Sequence, residues 1–258
     1  MSEAVLIDRP APHVLRATLN RPDVRNAVNG DVARGLSAAI RQAEEDVGIR
    51  VAVLAAAGDK SFCAGADLSA VAAGKAAELS TPEGGFAGFV RAPRSKPWIA
   101  VVNSNALGGG LELCLSCDMV VAARSARFGL PEVKRGIFAG AGGAFRLPRA
   151  IPRAVAMQMI ATGEPIDAAR AYELGLVNIV VDDGELAAAG LALAAQVAAN
   201  APISVQESLA LARAAKETTE EELWKRNSAA GKRVGASEDA KEGPRAFLEK
   251  RAPNWTGR

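Results

Sequence analysis

The stretch that most restricts how this chain can fold runs from Trp98 to Gly143. It opens with the apolar run W-I-A-V-V, continues as N-S-N-A-L-G-G-G-L-E-L, and ends in the glycine-rich segment F-A-G-A-G-G. The apolar run reads as a buried strand, and the three consecutive glycines Gly108, Gly109 and Gly110 deliver it to a helix-like run. At such a helix start the backbone N–H groups are free to face a ligand, and the absence of side chains lets that ligand come close. Two acids, Glu112 and Glu132, sit alone in apolar surroundings, the second just after Gly129-Leu130-Pro131. An unpaired carboxylate there is costly, and acids kept at such positions are candidates for chemistry.

The rest of the chain repeats the same beat. Ala4 to Ile7 and Val14 to Leu19 read as two strands around a turn that carries His13, the only histidine. With no metal ligand or nucleophile nearby, that histidine reads as a strand-edge residue. A helix follows Asn29-Gly30, capped by Asp31, with Val32, Leu36, Ile40 and Ala43 on one face. Strands at Val51 to Ala56, Trp98 to Val102, Met119 to Ala123 and Val177 to Val181 alternate with helices, which implies an α/β fold with parallel pairing and right-handed crossovers. From about Gly184 the pattern is helical: 185–199, 203–216, 219–234 and 238–250, with Thr219 and Glu222 as a capping box and Gly235 as a break. Between them, 69–92 reads as a loop or short helix at the mouth of a site.

Composition matters here mainly for what it excludes. With 31 basic and 29 acidic residues the chain is close to neutral, which argues against a broad nucleic-acid or anionic-membrane footprint. Its three cysteines suggest no disulfide framework, and a reducing cytoplasm is the expected setting. Cys114 and Cys117 have no histidine or second pair close by, so they read as buried small residues, and no metal is expected. Arg91, Arg94 and Lys96 form a basic run near the site mouth.

The segments F-C-A-G-A-D-L (residues 62–68), A-L-G-G-G-L-E (106–112) and F-G-L-P-E-V-K-R-G-I-F-A-G-A-G-G (128–143), in this order, resemble the enoyl-CoA hydratase/isomerase (crotonase) family, and the likeness runs from Leu19-Asn20-Arg21-Pro22 to the tail. The resemblance implies a crotonase-like spiral of ββα repeats over 1–195, carrying the CoA and active site, and a C-terminal helical region, 196–258, for oligomerisation into trimers or hexamers and for site cover. It implies that the N–H groups of Ala66 and Gly109 form an oxyanion hole. Glu112 and Glu132 match the positions where hydratases of the family keep glutamates. It also implies that Arg25, Ala27, Ala64, Ala66, Asp67, Leu68 and Gly140 meet the coenzyme A portion of an acyl-CoA substrate, with Phe247 and Lys250 covering the nucleotide. No permanently bound cofactor is expected. The implied reaction is reversible addition of water to a 2-enoyl-CoA. Carnitinyl-CoA dehydration and Δ3-Δ2-enoyl-CoA isomerisation are the alternatives, and a non-catalytic acyl-CoA or RNA binder is the rival of another class.

Position alone divides the roles of the acids. Glu112 in the first turn of a helix should be held ionised by the dipole and suit a water-orienting base. Glu132, between Phe128, Leu130 and Val133, should be protonated by desolvation and suit the acid. Ser104-Asn105 and Phe138-Ala139 depart from the family pattern and are expected to reshape the acyl pocket.

Overall fold

The computed structural model describes residues 3–258. Its strands, in chain order, are β1 (Val5–Ala11), β2 (Val14–Leu19), β3 (Val51–Ala56), β4 (Ser80–Thr81), β5 (Gly85–Phe86), β6 (Trp98–Val102), β7 (Ala106–Leu107), β8 (Met119–Ala123), β9 (Arg127–Gly129), β10 (Ile166–Asp167) and β11 (Ile179–Val181). The helices are α1 (Gly30–Glu45), α2 (Leu68–Ala72), α3 (Gly109–Cys114), α4 (Gly143–Ala150), α5 (Arg153–Thr162), α6 (Ala168–Glu173), α7 (Leu186–Ala198), α8 (Pro202–Ala214), α9 (Glu220–Ala236) and α10 (Asp239–Leu248).

The main sheet has the order β1-β2-β3-β6-β8-β11, antiparallel only between β1 and β2. Its central strands are apolar on both sides because both faces are covered. Leu15, Leu54, Trp98 and Val102 point into one core, which α1 closes with Val32, Leu36 and Ile40. Val14, Val51, Val53, Ile99 and Val101 point into a second core under α7. That helix lies very close to the sheet: a Cβ on Gly190 would come 2.6 Å from a methyl of Val101. A smaller sheet, β10-β9-β7, branches from the loops that follow β6 and β8.

The expected strands β2, β3, β6 and β8 lie at the expected residues. The last strand is shorter, Ile179–Val181: at Asn178 the side-chain oxygen, in place of a backbone carbonyl, accepts the N–H of Val120 at 2.8 Å, while its own N–H donates to Val120 O at 2.9 Å. The α1 cap is Asn29, not Asp31: its side chain accepts the N–H of Val32, while Asp31 pairs with Arg34 in the first turn. Thr219 does cap α9 through Glu222 N–H, but the Glu222 carboxylate turns to Arg226, and Gly235 lies inside the helix. The 69–92 segment holds α2, a 3-10 turn and the β4-β5 hairpin. The 195/196 division falls inside α7, whose residues Ala194 and Ala198 both belong to the second core. No single helix is long and apolar enough to cross a membrane among the described residues.

Candidate active site

Three loop segments run side by side at one end of the main sheet. Val28 pairs with Ala66 and Cys63 with Ala106 through isolated parallel bridges. The bonds that make them are Val28 N–H to Gly65 O at 2.8 Å, Asp67 N–H to Val28 O at 2.9 Å, Leu107 N–H to Cys63 O at 3.0 Å and Phe62 N–H to Asn105 O at 3.0 Å. This pattern uses the Gly65 carbonyl and the Asp67 N–H on either side of Ala66 and leaves Ala66's own N–H without a backbone acceptor. Gly109 is the first residue of α3, so helix geometry gives its N–H no intrahelical partner. The two segments touch at glycines: at Gly65, with φ +90°, a Cβ would lie 3.0 Å from the Gly109 nitrogen, and at Gly110 it would lie 2.1 Å from the Cys63 carbonyl oxygen.

Each acid arrives by a separate local device. Glu112 is carried on α3 itself, 3% exposed, and its Oε1 accepts the N–H of Gly143, the first residue of α4, at 2.8 Å. Glu132 arrives through the smaller sheet. Gly108 N–H donates to Gly129 O at 2.9 Å, and the 3-10 turn Pro131–Arg135, opened by proline, folds the chain back over Gly108. A Cβ on Gly108, where φ is +58°, would come 3.2 Å from Glu132 Oε1. Glu132 Oε2 is buried and has no partner among the described residues.

Burial pushes the Glu112 carboxyl up to about 7. The Gly143 and Ala141 N–H groups and the Arg146 guanidinium oppose that rise, while the Glu132 charge adds to it. Desolvation raises Glu132 as well, against its own backbone N–H and Arg135. Glu112 does stand in the first turn, but α3 is six residues long and wholly buried, so desolvation outweighs the dipole and raises the carboxyl where the dipole alone would lower it. For Glu132 the expected direction holds; Phe128 and Leu130 are buried, whereas Val133 is 42% exposed.

Both acids and both N–H groups face one cavity of about 860 Å³, which Arg25, Ala64, Leu68 and Gly140 also line. Arg25 stands in a left-handed turn, φ +56°, at its edge. Ala27 is buried just behind it, its carbonyl accepting from Arg21. Asp67 is not in the lining: its carboxylate pairs with Arg21 at 2.9 Å and caps α2 through Ser69 and Ala70. Phe247, 82% exposed on α10, and Lys250 just beyond it are likewise outside the cavity wall of this chain. Of the basic run only Arg91 lines the cavity. Arg94 stacks on Phe89 at 4.1 Å and donates to Ser116 O, and Lys96 is buried on the Ala43 and Asp46 carbonyls. Phe138 does line the cavity, but Ser104 and Asn105 do not; the Asn105 carbonyl serves the Phe62 and Cys63 N–H groups instead. Cys63, Cys114 and Cys117 have their thiols pushed up by burial, Cys63 and Cys117 to about 12.

Sequence reasoning missed Phe86, Arg135, Phe145 and Arg146. Phe86 packs against Gly109, where a Cβ would meet its ring at 2.5 Å. Arg146 on α4 donates to Ser116 Oγ and to Val90 O.

Residues 11–258 match the enoyl-CoA hydratase/isomerase family. The chain is 40% identical over 263 residues to a carnitinyl-CoA dehydratase of Salmonella typhi, covering 100% of both. It superposes on a solved enoyl-CoA hydratase from Mycobacterium tuberculosis with a TM-score of 0.95 and 42% identity, and on a carnitinyl-CoA hydratase from Mycobacterium avium with 0.79 and 46%, each covering 100% of both chains.

Proposed function

This chain belongs to the enoyl-CoA hydratase/isomerase family, and from that premise we propose that it adds water reversibly to a 2-enoyl-CoA thioester. The observation that carries the reading is the meeting of two buried carboxyls with two unshared N–H groups in one cavity. Hydration forms a C–O bond at C3 and a C–H bond at C2. Glu112 orients the water and takes its proton, and Glu132 gives a proton to C2. The negative charge that builds on the thioester oxygen meets the N–H groups of Ala66 and Gly109; losing one such donor typically costs about 100- to 1000-fold in rate. This division of labour needs one proton shared by the pair, and burial pushes both carboxyls up, which favours keeping it. The Gly143 N–H on Glu112 and the unpartnered Oε2 of Glu132 support giving the anion to the first and the proton to the second.

Coenzyme A runs along Arg25, Ala27, Ala64, Ala66, Leu68 and Gly140. Residues 1–195 form the catalytic core, and 196–258 serve oligomerisation. Phe247 and Lys250 reach a CoA nucleotide only from a neighbouring subunit of a trimer or hexamer, which their exposure outside this chain's cavity supports. Three free cysteines fit a cytoplasmic enzyme. The name of the Salmonella relative favours a second reading, dehydration of carnitinyl-CoA. An isomerase needs only one carboxylate, and the retention of both speaks against it.

The test is loss of the conjugated enoyl-thioester absorbance when purified protein meets a panel of straight-chain 2-enoyl-CoA esters, with Glu132→Gln as control. Turnover that collapses in the variant supports hydration; binding without turnover by the unaltered protein sinks it.

A further inference from the structure

The cavity that holds the two acids is also lined by four arginines, Arg25, Arg91, Arg135 and Arg146. Among the described residues none of these four forms an ion pair, whereas Arg149, which shares α4 with Arg146, pairs with Glu217. Arg146 uses two of its five N–H groups, on Ser116 Oγ at 2.6 Å and Val90 O at 2.7 Å, and is half-buried. It lies close enough to Glu112 to draw that carboxyl down without bonding to it.

Two of the four belong to one end of the cavity. Arg146 bonds the carbonyl of Val90, the residue before Arg91, and the Arg91 side chain lies over Gly85, where a Cβ would come 2.9 Å from its Cδ. Phe86, next to that glycine, packs on Gly109. Arg91 and Arg146 therefore flank the region beyond the thioester-oxygen donors and Glu112. Arg25 sits on a different segment, bonded through its carbonyl to Ala64 N–H. Resting on the hydratase reading, we propose that this Arg91–Arg146 end receives the distal part of the acyl chain and selects an enoyl-CoA whose acyl group carries a carboxylate, excluding one that carries a quaternary ammonium.

A half-buried guanidinium with spare N–H groups and no acid bonded to it, with only the Glu112 and Glu217 charges at longer range, still favours an anion, and the guanidinium fork matches a carboxylate. A quaternary ammonium needs the opposite: open aromatic faces or ionised acids. Here the Phe145 ring already has the guanidinium of Arg146 at 5.8 Å and that of Arg149 at 5.7 Å from its centre. On the hydratase reading the two acids share one proton, and the one charge left, on Glu112, is already faced by Arg146.

The experiment compares kcat/KM of the full-length protein for three short thioesters that differ in the group on C4: but-2-enoyl-CoA, its trimethylammonium-bearing analogue and pentenedioyl-CoA with a free terminal carboxylate. The carboxylate probe should lead, the neutral probe follow and the ammonium probe trail. The carboxylate-to-ammonium ratio should fall by about ten- to a hundredfold in Arg146→Met and in Arg91→Gln, the worth of one charge-assisted hydrogen bond. Taking the ratio within each variant cancels any loss of folded enzyme, and Arg91, being exposed, can be changed without disturbing the core. An ammonium or neutral probe that outruns the carboxylate probe overturns the proposal, as does a ratio that neither variant moves. If no probe is turned over, the hydratase reading fails on its own, and dissociation constants of the same three thioesters by calorimetry decide the charge preference by the same order.

Discussion

Glu112 accepts at 2.8 Å the N–H of Gly143, the residue that opens α4, so one hydrogen bond joins an acid of α3 to the glycine loop forming the cavity wall. The bond favours the carboxylate while burial favours the acid, and the balance leaves Glu112 at about 7. With Glu112 required as its anion, kcat/KM for hydration falls as pH drops through about 7, with an apparent value that belongs to the Glu112–Glu132 pair. Arg146 pulls that value down, so Arg146→Met moves the acid limb to higher pH. A pH-rate profile of both proteins reads this directly; a limb below about 5 in the unaltered enzyme, the range of a solvated carboxyl, contradicts it.

The same shift predicts a stability effect of definite sign. The folded value of Glu112, about 7, lies above its ordinary 4.5, so the native state holds the proton more tightly than the unfolded chain. Its contribution is most favourable below 4.5 and is lost as pH rises from 4.5 to about 7. Glu112→Gln keeps an oxygen for Gly143 N–H and removes the charge. The variant should be more stable than the parent at about pH 8, by on the order of 1–2 kcal/mol, with the gap closing on acidification. Thermal melts across that range measure it, and a variant less stable than the parent at high pH would show that Glu112 is not held near neutral.

Two glycines give a matched pair. Gly110→Ala places a methyl 2.1 Å from the Cys63 carbonyl, which cannot yield without moving the segment that ends in Ala66. Turnover should drop by about 100-fold or more, as when an oxyanion donor is misplaced. Gly231, inside α9, has nothing within 4 Å of an added Cβ, so Gly231→Ala should raise stability by about 0.4–1 kcal/mol and leave turnover alone. Denaturant midpoints and single-turnover rates separate the two; equal effects on both would mean that the Gly110 contact does not position the donors.

What the sequence discloses is what local pattern encodes. Trp98–Val102 and Val51–Ala56 announce buried strands because every residue is apolar, and Glu112 and Glu132 stand out as acids in apolar runs. Side chains whose partners are distant carbonyls are silent. Lys96 reads as a surface cation until the fold brings the carbonyls of Ala43 and Asp46 to it, and Arg146 is invisible until α4 turns it toward Val90. The upward push on the Glu112 carboxyl has the same root: a dipole follows from position in a helix, whereas burial depends on everything packed around it.

Asn26 ties the turn around Arg25 to the segment that leads to Ala66. It is 1% exposed, stands at φ +54°, accepts the Arg21 N–H at 2.8 Å, and donates to the carbonyls of Ala57 and Ser61, each at 2.9 Å. Asparagine tolerates this left-handed backbone, and its amide offers an acceptor and two donors at once. Asn26→Ala strands two carbonyls and an N–H and should cost about 2–4 kcal/mol, the range for buried polar groups left unpaired. Asn26→Asp keeps the acceptor but turns a carboxylate toward two carbonyl oxygens. Its folded value must therefore rise above that of a free aspartate, and the stability its protonated form supplies is lost as pH increases through that range. Urea midpoints should show Asn26→Asp closer to the parent near pH 4 than near pH 8, with Asn26→Ala changing little between them. Because Val28 N–H reaches Gly65 O from this same turn, both variants should also raise KM for the thioester. An Asn26→Asp variant that is no worse at alkaline pH would mean that the two carbonyls are not held by this side chain.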